Sequence, residues 1–252
     1  MSDNGEFYVG YHGQAPPGLA AFVRRIVAIV VVGAAALGGG LAVLQQPFDP
    51  GEFEFGETTS VTGWISEAPY PELVVPRPGE IEDPDANSRY LLVGPGKHGP
   101  GEFIGEHLDG AAQVEGTLIH REGATMIEVS SAVGASGVPS LMSDSSQDLG
   151  EQTLIGEIVD TKCYLGTMKP GRFKPHKSCA ANCIRGGIPP AFLVETSTSQ
   201  RWLLLLVDSD DRPLSDTILD YVGEPLEITG RVRKIGNRLI LAADPASYRR
   251  IN

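Results

Sequence analysis

Basic residues are scarce in this chain: 20 Lys and Arg stand against 32 Asp and Glu, a net charge of -12. An acid excess of that size works against nucleic acid and anionic lipid as partners for the bulk of the protein. Aromatic residues are also few, at 7%, yet 41% hydrophobic residues are enough for one or two ordinary cores, which excludes a disordered chain. Long apolar runs are missing except for one, which excludes a multi-span membrane protein. The common signatures of enzymes are absent as well. There is no Gly-rich phosphate loop, no Ser-His-Asp order, no paired-carboxylate motif and no C-x-x-C-H for covalent haem. An acid-rich chain with no reactive constellation beyond three cysteines argues against a hydrolase.

The one apolar run is Ile26 to Leu44, without a charged or polar side chain. As a helix it suits the hydrocarbon layer, which takes about 20 apolar residues to cross. Arg24 and Arg25 abut it on the N-terminal side, and Asp49, Glu52 and Glu54 follow on the other. By the positive-inside rule residues 1–25 form a cytoplasmic tail, 26–44 a transmembrane helix, and everything after it lies outside the cytoplasm. Asp3, Glu6, Arg24 and Arg25 cancel, so the whole acid excess falls on the exported part. The alternative is a cleaved signal peptide, although no A-x-A-like site follows and the run exceeds the usual apolar region of about 7 to 15 residues.

Beyond the anchor the chain repeats one order of short β-branched strands. The first half runs through SVTGWI (60–65), ELVV (72–75), RYLLV (89–93), AAQVEGTLIH (111–120) and TMIEVS (125–130). The second runs through TLIGEIV (153–159), AFLV (191–194), RWLLLLV (201–207), PLEITGRVR (225–233) and RLILA (238–242), with a short helix expected over 214–222. VTGWI matches LIGEI and VEGTL matches ITGRV, so a Gly recurs at the same point of each paired strand, as where a small barrel bends shut. Five strands with a helix before the fourth point to the OB-fold. The expected fold class is therefore mainly β: one N-terminal transmembrane helix, then two OB-like small barrels at 48–131 and 153–252. A Ser, Gly and Asp-rich linker is expected at 132–152. A single larger β-sandwich is the alternative. Trp64, Trp202 and Tyr90 suit either an oligomer-binding face or a core.

All three cysteines lie in an insertion, 161–190, between the first two strands of the second half. In KPHKSCAANCIRGG, Pro175 suits a helix start and Gly186 with Gly187 its end. On that helix His176, Cys179 and Cys183 share one face, and Cys163 can join them from the end of the preceding strand. Three thiolates and an imidazole form a complete ligand set for zinc, and soft thiolates also suit copper(I) or an iron-sulfur centre. Cys163, His176, Cys179 and Cys183 are the candidate metal ligands. Between Thr161 and Gly186 stand Lys162, Lys169, Arg172, Lys174, Lys177 and Arg185 and no acid, a field that favours thiolate or docks an anionic partner. Two other chemistries fit the same residues. One is a structural disulfide with a spare thiol, the other a catalytic thiol.

Val159, Asp160, Cys163, Tyr164, His176, Cys179, Ala180, Cys183, Gly186, Gly187 and Pro189 spell a D-x-x-C-Y, H-x2-C-A-x2-C, G-G-x-P series. The series resembles a segment of bacterial membrane-anchored exported proteins. The resemblance implies a membrane-associated redox or metal context. In topology the chain also resembles the haem chaperone of cytochrome c maturation, whose haem-binding His lies in K-H-D-E-x-Y; Lys97 and His98 match only its first two positions. The sequence thus leads to a non-enzymatic accessory or assembly subunit of a redox complex in the bacterial cytoplasmic membrane, with a protein partner there and no nucleic acid. Its alternatives are a disulfide-stapled binding module and a thiol oxidoreductase.

Overall fold

The computed structural model describes residues 15–44, 51–67, 69–77, 87–141, 146–196, 198 and 200–251. Residues 1–14 of the expected tail lie outside them. The chain divides into two units, Met1–Phe48 and Asp49–Asn252. In the first, α1 (Pro17–Leu44) is one unbroken helix with no buried residue. It starts nine residues before the apolar run, with Pro17 in the first helical position where its missing N–H costs nothing. The helix is long and apolar enough to cross a membrane, which is compatible with an anchor or with a signal sequence.

The second unit is built from strands β1 (Glu52–Phe53), β2 (Thr59–Ser66), β3 (Glu72–Pro76), β4 (Asn87–Val93), β5 (Ala111–Arg121), β6 (Ala124–Gly134), β7 (Ser146–Asp160), β8 (Pro190–Glu195), β9 (Arg201–Val207), β10 (Leu226–Ile235), β11 (Arg238–Ala242) and β12 (Arg249–Arg250), with short helices α2 (Gly101–Ile104) and α3 (Lys177–Arg185). The order β5-β2-β3-β4-β6 closes through β5–β6, and β11-β9-β8-β7-β10 closes through β10–β11. In each barrel the third and fifth strands, β4 with β6 and β9 with β11, pair in parallel. This is the expected pair of OB barrels, each with a helical turn before its fourth strand. The turn in the second is a 3-10 helix, Asp216–Tyr221, ended by Gly223 at φ 67°.

The recurrent glycines sit where the barrels bend. A Cβ on Gly156 would lie 2.2 Å from the Leu193 carbonyl oxygen on the next strand, and one on Gly116 would lie 2.2 Å from that of Glu128. Gly63 and Gly230 occupy the equivalent places against Val74 and Ala242. Only a residue without a side chain lets the neighbouring strands approach so closely. Next to Gly116 and Gly230 the register also shifts, between Glu115 and Gly116 and between Arg231 and Arg233.

The two barrels share a core. Ile65, Leu73, Leu92 and Ile127 fill the first, and Ile158, Phe192, Leu206 and Ile228 the second. A third cluster joins Leu91, Val93, Ile119 and Met126 to Val159, Tyr164, Leu205, Val207 and Ile240. Successive residues of β4 and β9 therefore point alternately into their own barrel and into the joint. Strands covered on both faces read as continuous apolar runs, which is why RYLLV and RWLLLLV show no alternation. Polar ties cross the same joint: the Tyr70 hydroxyl donates to Leu206 O at 2.6 Å and accepts from Leu214 N at 3.1 Å. Glu72 pairs with both Arg89 and Arg238. Within the expected linker 132–152, β6 runs on to Gly134 and β7 begins at Ser146, and residues 142–145 lie outside the described residues.

Candidate metal centre

The insertion is pinned at its neck, where Thr161 donates to Pro189 O from its backbone N at 3.1 Å and its hydroxyl at 2.9 Å. Directly after it, Cys163–Thr167 makes a single wide π turn, closed by Met168 N to Cys163 O at 3.2 Å. A 3-10 turn, Lys174–His176, with Pro175 in place, then leads into α3. Ala180 and Ile184 of α3 enter the core of the second barrel, and Cys179 and Cys183, on another face, meet the joint. The helix ends at Gly186 and Gly187, as expected, and Gly99 N of the first barrel caps Gly186 O at 2.8 Å.

Three sulfurs converge there. The Sγ atoms of Cys163, Cys179 and Cys183 all lie within 4.8 Å of one another, and all three are free thiols. Asp160, Cys163 and His176 form a second group with ligand atoms equally close. The expected set of four is therefore drawn as two groups that share Cys163. His176 belongs with Asp160, its Nε2 lying 3.0 Å from Oδ2, and the other carboxylate oxygen accepts Cys163 N at 2.8 Å. Asp160 is fully buried and Cys163, His176 and Cys183 nearly so; Cys179 is only partly covered.

The hydrogen bond with Cys183 is the main influence holding the Cys163 thiol above its ordinary value, helped by burial and by the Asp160 charge. The same bond holds Cys183 below it, with Lys97 assisting. The two shifts have opposite signs because Cys163 gives the hydrogen bond that Cys183 accepts.

The positive charge at the thiols comes from a place the sequence did not indicate. Lys97, on the loop after β4 of the first barrel, sets Nζ 3.4 Å from Cys179 Sγ. Gly186 fits beneath that loop only because it lacks a side chain, as its Cβ would meet Lys97 O at 1.8 Å. The expectation that the insertion's own cations activate the cysteines is corrected for most of them. Arg172 bonds Glu157 at 3.1 Å and Glu195 at 2.6 Å, Lys174 and Lys177 pair with Glu224 at 3.5 and 2.8 Å, and Arg185 faces Asp216 at 3.7 Å. Lys162 is buried, giving hydrogen bonds at 2.8 Å to Gly94 O and Gly96 O and pairing with Glu128. Those cations neutralise acids of the fold. Lys97 and Asp160 were missed as site residues because neither stands in a ligand spacing; Asp160 was visible only as part of the D-x-x-C-Y series.

The donor set fits a soft metal ion. Thiolates select zinc, copper(I) or iron-sulfur clusters, and a metal-binding His commonly gives its second ring nitrogen to a carboxylate, as His176 gives Nε2 to Asp160. His176 lies with Asp160 and Cys163, and the three thiols form the other group. The sequence matches no model of a known protein family and no curated protein.

Proposed function

We propose that this protein is a membrane-anchored, exported accessory or assembly subunit of a redox complex that binds a metal ion through Cys163, Cys179, Cys183 and His176. The observation that carries the reading is the convergence of three free thiols beside Lys97 in the joint between two barrels. Burial supports binding over thiol catalysis, since only Cys179 is open to a substrate. When bound, the ion would supply a fixed charge and, if copper or iron, an electron-transfer centre. Asp160 would orient His176, and Lys97 would offset part of the thiolate charge. The apolar α1 and the Arg24–Arg25 pair support the anchor with its C-terminal side outside the cytoplasm. Assignment to a redox complex rests on the soft donor set and on the resemblance of 159–189 to exported bacterial segments.

The test is metal analysis with thiol counting on the full chain, purified in detergent without chelator. One equivalent of metal and three thiols after anaerobic unfolding are expected. A chain with no metal and one free thiol would make the site a disulfide. A reporter fused after Asn252 should be active only outside the cytoplasm, and activity inside would reverse the orientation.

A further inference from the structure

A cleft whose lining holds none of the three cysteines opens between the two barrels. It lies where the β5–β6 and β10–β11 hairpins approach each other and measures about 520 Å3, within the range of small-molecule sites, roughly 300–1,000 Å3. Its floor is apolar: Leu91, Leu165 and Leu205 line it and are themselves buried. Trp202, 44% exposed, stands in its wall, an exposure that a core role for this residue does not explain. Trp64 takes no part, because its Nε1 is committed to Pro139 O at 2.8 Å, and Tyr90 packs on the first barrel's core.

The charge of the lining is opposite to that of the chain. Four cations, Arg89, Arg201, Lys234 and Arg238, face one carboxylate, Glu122, in a protein of net charge -12. Arg89 and Arg238 are both held by Glu72, and Arg201 is shared by Glu195 at 3.4 Å and Glu122 at 3.8 Å. Lys234 is half-buried and has no ion pair among the described residues. An ammonium without a counter-charge offers an incoming anion a partner that the protein has not already supplied.

We propose that this cleft binds an amphiphilic anion, its apolar body against Trp202 and the leucine floor and its carboxylate or phosphate head on Lys234 and Arg201. The site is independent of the metal centre. The size of the cleft suits a single short chain or ring system, and the one exposed Trp supplies a flat apolar wall.

The experiment uses the full chain in nanodiscs of zwitterionic lipid, titrated with 8-bromooctanoate, whose bromine quenches tryptophan on contact. Saturable quenching should persist in Trp64→Phe and vanish in Trp202→Phe. Octanoate should compete at least tenfold better than octylammonium or octanol, and Lys234→Glu should weaken binding more than tenfold with an unchanged melting curve. Octyl phosphate distinguishes the source of the head group: tighter binding than octanoate indicates a lipid phosphate, weaker binding a free carboxylic acid, and either upholds the site. Equal competition by all three head charges, quenching that survives Trp202→Phe, or indifference to Lys234→Glu overturns it.

Discussion

Replacing Lys162 with Met tests whether the two barrels stand as one body. The side chain is 2% exposed and its ammonium ties the start of the cysteine insertion to Gly94 O, Gly96 O and Glu128 of the first barrel. Met keeps most of the aliphatic stem, so the packing loss is small. The polar loss is not. Removing one partner of a buried ion pair costs about 3–5 kcal/mol because the other charge stays behind. Glu128, 20% exposed, can recover some hydration, which argues for the lower end, about 3 kcal/mol, with the two carbonyls adding up to about 1 kcal/mol more. For a unit of this size each kcal/mol moves the melting temperature by about 2–4 °C, so a fall of roughly 6–16 °C is expected. The assay is thermal unfolding of the detergent-solubilised full chain followed by circular dichroism, with Lys174→Met as the control. Lys174 is 73% exposed, and its pair with Glu224 is a surface contact worth about 0–1 kcal/mol. Alkylation of Cys179 should also quicken in Lys162→Met, since the loop that carries Lys97 loses its hold. A melting temperature within about 2 °C of the parent, or no lower than in the control, would refute the shared joint.

Gly156→Ala should destabilise by about 1–3 kcal/mol through its clash with Leu193 O, whereas Gly101→Ala, with open space around it, should be nearly neutral in the same melt. Metal affinity should rise with pH. The Cys163 thiol is held above its ordinary value, so its proton stays in place through neutrality and must leave when metal binds, giving about one decade of affinity per pH unit for each proton released. A flat profile in competition with a chelator of known affinity would remove Cys163 from the ligand set. A fragment of residues 146–252 should show a broad, low-temperature transition and bind a hydrophobic dye, because Leu203, Leu205, Val207 and Ile240 lose their cover; a sharp melt near that of the full chain would establish the second barrel as an independent domain.

Much of the architecture was legible in the sequence because it is local. Alternation in some strands, short continuous apolar runs in others, turn residues and the four matched glycines define ten strands and the places where they bend. The spacing of Cys179 and Cys183 on one helix, started near Pro175 and stopped at Gly186, is local too. What escaped was the meeting of the two barrels. Lys97 and Cys179 are 82 positions apart, and Tyr70 and Leu206 are 136 apart; no periodicity records such pairs. For the same reason the cations at 162–185 looked like a field acting on the cysteines. Their partners, Glu157, Glu195, Asp216 and Glu224, lie outside the segment in sequence and beside it in space.

The position of the thiols at a joint sets an order of assembly. Cys179 and Cys183 come together as soon as α3 forms, but Lys97 can meet them only after both barrels have presented finished surfaces, since the contact needs the loop after β4 on one side and the neck of the insertion on the other. If α3 forms before the joint closes, it carries two adjacent thiols without that cover. Closure of the joint then buries Cys163 and Cys183 and leaves Cys179 partly open. Pulsed alkylation during refolding would time that closure: Cys163 and Cys183 should become protected together, and only when the barrels lock.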